Sequence, residues 1–164
     1  MNSRSGLQKI KLFAMDVDGV LTDGGMFYSE AGEVLKKFNT RDGMGIELLR
    51  KNGIIPAIIT KEKSEIVLKR AEKLKVEEVY IGVEDKLEVV KRLIKKYNLS
   101  FELVAYIGDE INDIPLLKKV GLSCCPFDAV DEVKKIANYV CKTKGGEGAV
   151  REVVDIIRGD KDAI

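Results

Sequence analysis

Histidine is absent from the 164 residues of this chain. Its absence excludes histidine-based catalytic triads, histidine general bases and imidazole metal sites. Acid–base chemistry near neutral pH must therefore use carboxylates, lysines, tyrosines or cysteines with shifted pKa values.

Cysteine is scarce, with three residues in the chain, which is an odd number. Cys124 and Cys125 are adjacent and Cys141 stands alone, so no CxxC spacing occurs and a zinc site is not expected. We expect reduced thiols that are buried in or beside strands.

Long apolar runs and an excess of one charge are also missing. No stretch is long enough to span a bilayer, and residues 1–11 lack the apolar core of a secretion signal. The net charge of +1 gives no broad electrostatic footprint for nucleic acid or for a membrane surface. The sequence therefore predicts a cytoplasmic protein that binds neither nucleic acid nor a membrane.

What is present predicts an α/β protein. A chain of this length is expected to form a single domain over residues 1–164. Apolar runs alternate with segments of helical periodicity, which predicts a Rossmann-like parallel sheet with helices on both faces. The predicted strands cover about 10–15, 54–60, 79–81, 103–107, 121–125 and 139–141. The predicted helices cover about 42–51, 65–74, 87–98, 130–137 and 149–157, with a short one through Leu117 and with Ser64 as a candidate cap.

The segment at about 24–39 breaks this rhythm and is predicted to form a protruding β-hairpin with a turn at 30–32. Large apolar side chains occur on both of its faces, at Met26, Phe27, Tyr28, Val34, Leu35 and Phe38. A two-stranded element cannot bury both faces by itself, so this pattern favours association with another subunit.

The most informative segment is the apolar run that ends at Asp16 and Asp18 and is followed by Gly19. Carboxylates at the end of a buried strand are costly unless a cation neutralises them. The carboxyl edge of an open α/β sheet is also where ligands bind. The segment therefore indicates a magnesium-assisted site, although Asp18 alone is also typical of a turn residue before glycine.

Polar groups follow two other predicted strands, at Thr60 and at Asp109 with Asp113, and Lys86 opens a helix between them. In a parallel sheet all of these groups fall on one edge. Carboxylates suit Mg²⁺, and a lysine beside the metal can neutralise a phosphate ester, so the set indicates phosphoryl transfer. Taken singly, Thr60 is typical of a helix cap, Lys86 of a solvated helix and Asp109 of a capping turn; the indication comes from the combination.

In their order along the chain, these motifs resemble those of the haloacid dehalogenase-like superfamily of phosphatases. The matching segments are Asp-Val-Asp-Gly-Val-Leu-Thr at 16–22, Thr60, Lys86 and Gly-Asp-Glu-Ile-Asn-Asp at 108–113. Between the first two motifs there is room for the hairpin and one helix, so the chain resembles the capless members. The resemblance implies that Thr60 holds a phosphoryl oxygen.

The resemblance also implies the roles of the charged residues. Asp16 would be the nucleophile that forms an aspartyl-phosphate. Asp18 would contact the substrate, protonate its leaving oxygen and then activate water. Mg²⁺ would be held by Asp16, Asp109 and the backbone carbonyl of Asp18, while Asp113 would support the metal or orient Lys86, which contacts the phosphate.

Two further segments, 38–45 and 145–153, resemble motifs of the 3-deoxy-D-manno-octulosonate 8-phosphate phosphatases, a family within that superfamily. The resemblance implies hydrolysis of this sugar phosphate to the free sugar acid and phosphate, a step in lipopolysaccharide biosynthesis. It also implies a homotetramer in which four hairpins meet, with the Gly-rich segment at about 144–164 near a neighbour's site. The matching substrate-binding positions are Asn39, Thr40, Arg41, Asp42, Gly43, Arg70 and Asn112.

Alternatives remain open at several of these positions. Arg41 or Arg70 could bind the sugar carboxylate bidentately, but Arg70 also fits a solvated helix position. Arg41 with Asp42 also fits a salt-bridged helix start. The glycines at 145–148 could fold over a ligand or simply link a strand to a helix.

One departure from the family bears on the substrate. Thr-Lys-Glu stands at 60–62 where the family usually has Thr-Gly-Arg, so Glu62 replaces an arginine and Lys61 or Lys63 would supply the positive charge. A phosphatase of a sialic-acid 9-phosphate or of another small phosphate ester is therefore the alternative. A binding or scaffold protein that has lost catalysis would predict a damaged first motif, yet Asp16 and Asp18 are both present.

Overall fold

The computed structural model describes residues 9–159, and its centre is a parallel sheet of six strands. These strands are β1 (Leu12–Met15), β4 (Ile55–Ile59), β5 (Glu78–Tyr80), β6 (Val104–Ile107), β7 (Leu122–Cys125) and β8 (Tyr139–Val140). Their order across the sheet is β5-β4-β1-β6-β7-β8. All five pairings between neighbours are parallel. The predicted sheet is confirmed.

Helices cover both faces of this sheet. They are α1 (Thr40–Lys51), α2 (Glu65–Leu74), α3 (Lys86–Tyr97), α4 (Ile114–Leu117), α5 (Asp131–Lys134) and α6 (Ala149–Arg158), with 3₁₀ turns at Phe101–Leu103 and Ile111–Asp113. The first helix begins two residues before its predicted start because the side chain of Asn39 caps it. The helix predicted at about 130–137 is confined to one turn.

The strand β1 divides the interior into two cores because its side chains alternate between the faces of the sheet. Phe13 and Met15 pack in the core that α1, α2 and α6 cover. Leu12 and Ala14 pack in the opposite core, which α3, α4 and α5 cover. All four are fully buried, which explains why this strand is a continuous apolar run.

The hairpin forms a separate antiparallel sheet of two strands, β2 (Phe27–Ser29) and β3 (Gly32–Leu35), as predicted. Tyr28 and Leu35 are 63% and 60% exposed, and Met26, Phe27 and Val34 are also exposed. Five of the six predicted apolar side chains are therefore uncovered in the single chain, whereas Phe38 lies beyond the hairpin strands and packs against the core of the main sheet.

Three smaller expectations can be compared with the fold. The three cysteines are free and buried, as predicted. Ser64 precedes α2 but its side chain makes no capping hydrogen bond; it donates instead to Glu33 of the hairpin, so the predicted cap is wrong. Within residues 9–159 no helix combines the length and apolar character needed to cross a bilayer. Residues 1–8 and 160–164 lie outside the described residues. They include most of the segment predicted to lack a secretion signal and the end of the Gly-rich segment.

Candidate active site

The carboxyl ends of β1, β4 and β6 meet at one edge of the sheet because their registers are aligned. Met15 pairs with Ile58 on one side and with Ile107 on the other. The next residues along each strand therefore converge on a cavity of about 290 Å³. Its lining includes six residues predicted from the sequence: Asp16, Asp18, Thr60, Lys86, Asp109 and Asn112.

A buried cation lies at the floor of this cavity. The Lys86 ammonium is 2.9 Å from Asp16 Oδ1 and 2.7 Å from Asp113 Oδ1, and its side chain is 2% exposed. Burial opposes its charge, but Asp16 and Asp113 together raise the pKa of Lys86. Lys86 is therefore a fixed positive charge beside one oxygen of Asp16.

Asp113 is the most completely hydrogen-bonded carboxylate of the site. It accepts from Lys86, from the Tyr106 hydroxyl at 2.5 Å and from the backbone amides of Asp109 and Glu110 at 2.9 and 3.1 Å. Of the two roles that the resemblance implies for Asp113, these hydrogen bonds favour the orientation of Lys86.

Asp109 completes a cluster of like charges. One oxygen each from Asp16, Asp109 and Asp113 lie within 4.8 Å of one another. Burial, followed by the charges of Asp16 and Asp113, raises the pKa of Asp109 to about 8. Burial also raises the pKa of Asp16 to about 6 although Lys86 opposes this.

This cluster fits a divalent cation. Asp109 Oδ1 is buried and has no hydrogen-bond partner among the described residues. Asp109 Oδ2 would lie only 2.0 Å from a β-carbon on residue 19. Only glycine at this position therefore lets Asp109 pack against the turn after Asp18. A hard cation bound by carboxylate oxygens would remove the cost of these buried acids.

Asp18 lies on the opposite wall and is paired with a residue that the sequence did not single out. Lys36, just after β3, places its ammonium 2.5 Å from Asp18 Oδ1 and 2.6 Å from Glu33 Oε1. The side chain of Lys36 is fully buried. Although burial opposes its charge, the hydrogen bonds to Asp18 and Glu33 raise the pKa of Lys36.

The second motif lies beside the cavity as predicted. Thr60 is 1% exposed, and its Oγ1 accepts from the backbone amide of Glu62 at 3.2 Å, so the hydroxyl hydrogen is free to donate. Lys61 and Glu62 both line the cavity, whereas Lys63 packs against Gly82. The replaced arginine position is therefore part of the site.

The predicted substrate loop does not line this cavity. Asn39 caps α1 by accepting from Arg41 N at 2.8 Å and donates to Gly146 O at 3.2 Å. Thr40 and Arg41 are exposed. Arg70 donates to Asn39 O at 3.3 Å and lies so near that a β-carbon on Gly43 would be 2.7 Å from its Nη2.

Asp42 is turned away from the cavity toward the start of α6. It is 1% exposed and accepts from Arg151 N at 2.8 Å. Burial raises the pKa of Asp42 to about 6, although the backbone amides of Arg151, Gly148 and Val150 oppose this. The carboxylate of Asp42 thus accepts a hydrogen bond from the first turn of α6 and lies at the positive end of that helix.

The Gly-rich segment packs under the turn that follows Asp18. Gly146 N donates to Val20 O at 2.9 Å, and a β-carbon on Gly145 would be 1.9 Å from Gly19 O. The segment therefore braces this turn within the single chain. The sequence analysis did not predict the roles of Lys36 and Tyr106, because no motif marks either residue. It did not predict the packing of the Gly-rich segment, because that contact joins residues far apart in the sequence.

Comparisons with known proteins agree with this geometry. A family profile described as haloacid dehalogenase-like hydrolase matches residues 58–153. The chain is 42% identical over 150 residues to the 3-deoxy-D-manno-octulosonate 8-phosphate phosphatase KdsC of Escherichia coli K12, covering 92% of this chain and 80% of that protein.

Two crystal structures extend the likeness to the fold. The phosphatase of the same name from Yersinia pestis superposes with a TM-score of 0.93 at 41% identity, covering 98% of this chain and 86% of that one. The Moraxella catarrhalis phosphatase, in complex with magnesium, phosphate and KDO, superposes with a TM-score of 0.91 at 37% identity, covering 95% and 90%. The chain therefore belongs to the haloacid dehalogenase-like hydrolases and, within them, to the 3-deoxy-D-manno-octulosonate 8-phosphate phosphatase family.

Proposed function

We propose that this protein is a magnesium-dependent phosphatase that hydrolyses 3-deoxy-D-manno-octulosonate 8-phosphate to the free sugar acid and phosphate in lipopolysaccharide biosynthesis. The observation that carries the proposal is Asp16, whose one oxygen lies 2.9 Å from Lys86 within a cavity that Asp18, Thr60 and Asp109 also line. Relatives at 42% identity bear the name of this activity.

The metal would be held by Asp16, Asp109 and the backbone carbonyl of Asp18. When bound, Mg²⁺ would offset the negative charge that otherwise keeps a carboxylate from approaching a phosphate ester. Lys86 would add a second, permanent positive charge, and Asp113 would hold it in place. Thr60 would donate its hydroxyl hydrogen to a phosphoryl oxygen.

The reaction would proceed in two displacements at phosphorus. In the first, a carboxylate oxygen of Asp16 attacks phosphorus and the phosphorus–oxygen ester bond breaks. Its electron pair stays on the sugar oxygen, which takes a proton from Asp18. In the second, water attacks the phosphoryl group and Asp18 takes a proton from the water. The bond between phosphorus and the Asp16 oxygen then breaks, which releases phosphate and restores the Asp16 carboxylate.

The test is release of inorganic phosphate from the sugar phosphate by the full chain with Mg²⁺. Asp16→Asn should abolish turnover, and a chelator should abolish it in the native protein. Asp23→Asn is the matched control, because Asp23 is surface-exposed and pairs with the exposed Lys37. Acid-quenched protein should carry phosphate on the peptide that contains Asp16; full activity of Asp16→Asn would refute the mechanism.

A sialic-acid 9-phosphate is a second candidate substrate, favoured by the position of Glu62 in the cavity wall. Both substrates carry a carboxylate, so Glu62 would discriminate between them through the hydrogen bonds that it accepts from sugar hydroxyls. Turnover of the two sugar phosphates side by side decides between them. Glu62→Arg, which restores the family's usual residue, should shift the kcat/KM ratio toward the octulosonate if that is not already preferred.

The substrate-side residues would act from the rim of the site. Asn112 lines the cavity itself and could contact the sugar. Thr40 and Arg41 are exposed outside the cavity, where Arg41 could bind the sugar carboxylate. Asn39 and Arg70 are partly buried and Gly43 is buried, so contact of these three with the substrate would need the loop to move. For Asp42, its burial against α6 favours a supporting role.

We also propose that the protein acts in the cytoplasm as a homotetramer. The exposed apolar side chains of the hairpin support assembly, because a subunit contact would cover them. Sedimentation equilibrium should give a mass near four chains, and Tyr28→Lys should lower it, since a charge at that interface would be buried without a partner. A monomeric native protein would contradict this assembly.

A further inference from the structure

The ion pair between Asp18 and Lys36 belongs to a series of polar contacts that starts in the cavity and ends at Ser64. Lys36 binds Asp18 at 2.5 Å and Glu33 at 2.6 Å. The other oxygen of Glu33 accepts from Ser64 Oγ at 2.5 Å. Because Ser64 directly precedes α2, the series joins the first motif, the hairpin and the loop of the second motif.

The burial of Lys36 separates it from ordinary surface pairs. Its side chain has no exposed area, whereas the neighbouring Lys37, which pairs with Asp23, is 65% exposed. A buried ion pair is a poor source of stability, because its desolvation cost offsets the attraction. The hairpin also has no strand pairing with the main sheet. A role in positioning Asp18 therefore explains this buried ion pair better than a contribution to stability does.

The hydrogen bonding of Asp18 shows what is held. Lys36 engages Oδ1 alone, while Oδ2 is buried and has no hydrogen-bond partner among residues 9–159. Asp18 also lines the cavity beside Asp16 and Thr60. Lys36 thus fixes one oxygen of the carboxylate, and the second oxygen has no protein partner that would hold it in a competing orientation.

We propose that Lys36 is a positioning residue for Asp18: by fixing Oδ1, it sets the orientation of the carboxyl group that protonates the oxygen leaving the phosphate ester. The inference rests on the proposed function, because it assigns Lys36 to the proton-transfer step. In that step an Asp16 oxygen bonds to phosphorus, the ester bond breaks and its electron pair stays on the alkyl oxygen. A proton that Asp18 holds on its other oxygen moves to the alkyl oxygen, which leaves Asp18 as the carboxylate that pairs with Lys36. Glu33, held by Ser64, fixes Lys36 in turn.

The leaving group provides a readout that a purely structural role would not move. A sugar alkoxide is a strong base and needs a proton as it departs. The anion of para-nitrophenol is a weak base and departs without one. Loss of Asp18 positioning should therefore slow the sugar phosphate far more than para-nitrophenyl phosphate. The quantity to compare is kcat/KM, which covers the steps through departure of the first product.

The experiment measures kcat/KM for both esters with Mg²⁺ in the native chain, Lys36→Met, Lys36→Arg and Lys37→Met. Lys36→Met should lower the value for the sugar phosphate roughly 10- to 100-fold, a part of the 10²–10⁴-fold that acid catalysis supplies, and the value for the aryl ester only a few-fold. Lys36→Arg should restore much of the loss because it keeps a cation at Asp18. Lys37→Met, the matched control, should behave as the native chain.

A variant that retains Lys36 gives an independent test if Lys36→Met folds poorly. Glu33→Gln retains Lys36 but weakens its second anchor, and it should show the same selective loss on a smaller scale. In an Asp18→Asn background, Lys36→Met should cause no additional selective loss, because the two residues act on one step.

The outcomes separate this inference from the function on which it rests. If the native chain turns over both esters but Lys36→Met or Glu33→Gln slows both equally, the positioning role is overturned and the phosphatase stands. If the native chain turns over neither ester, the proposed function fails and the inference fails with it.

Discussion

A single methyl group at position 145, which does not line the cavity, should disable the site through contact with the backbone of Gly19. Gly145 has no left-handed backbone requirement, so Gly145→Ala acts through contact alone. Its β-carbon would lie 1.9 Å from Gly19 O, 2.6 Å from Gly19 C and 3.1 Å from Thr22 O. All three are backbone atoms, which cannot rotate out of the way as a side chain can.

The size of the effect follows from these distances. Carbon–oxygen contacts below 3.0 Å essentially do not occur, so the two segments must separate by at least 3.0 − 1.9 = 1.1 Å. The displaced turn begins directly after Asp18. Because a misplacement of about 1 Å can cost about 10²-fold in rate, we expect kcat/KM to fall about 10²-fold, or about 2.7 kcal/mol in transition-state stabilisation.

The assay is phosphate release from the sugar phosphate with Mg²⁺, alongside thermal unfolding followed by circular dichroism. Gly25→Ala is the control, because Gly25 lies near the same turn but its added carbon would meet only the mobile end of the Asp23 side chain, at 3.1 Å. Gly25→Ala should retain near-native activity. Native kcat/KM and unfolding temperature in Gly145→Ala would refute the close packing on which this reasoning depends.

Three other predictions concern metal, pH and stability. Mg²⁺ should raise the unfolding temperature of the native chain but not that of Asp109→Asn, because a ligand stabilises the fold only when it binds the folded state; an equal shift in both would contradict the metal site. The pKa of Asp42 is about 6 when folded against 3.8 normally, so the folded state holds more protons between these values and stability falls as pH rises through that window, by up to about 3 kcal/mol. Asp42→Asn should lose this contribution, so its change in stability between pH 4 and pH 7, measured by urea unfolding, should differ from that of the native chain by up to about 3 kcal/mol. Glu78 is buried at the other edge of the sheet and accepts hydrogen bonds from Tyr80, Tyr97 and Lys96; Glu78→Gln should cost about 1–3 kcal/mol in urea unfolding with kcat unchanged, and a lower kcat would contradict its separation from the site.

The parts of the site that the sequence could predict are those that local pattern determines. Asp16, Thr60 and Asp109 each follow a buried apolar run, and parallel strands bring their carboxyl ends to one edge. The fold class followed from the same alternation of strands and helices. In each case a single strand placed the residue at that edge, and the combination of the residues indicated the chemistry.

The parts that escaped prediction depend on contacts between distant segments. A lysine in an exposed hairpin is ordinarily solvated, so nothing near Lys36 indicates that its ammonium is enclosed. The sequence around Asp42 does not reveal that its carboxylate meets the amide of Arg151, 109 positions away. The brace that Gly145 forms under the turn at 19–22 likewise exists only once both segments are folded.

The central place of β1 has a consequence for how the protein loses activity. Asp16 extends from the strand that has three others on one side and two on the other, so opening of the border strands β5 or β8 leaves it undisturbed. Amide hydrogens of those borders should exchange with solvent through small fluctuations, while those of β1 exchange only when the whole chain opens. Inactivation in denaturant should accordingly coincide with global unfolding, without an earlier phase.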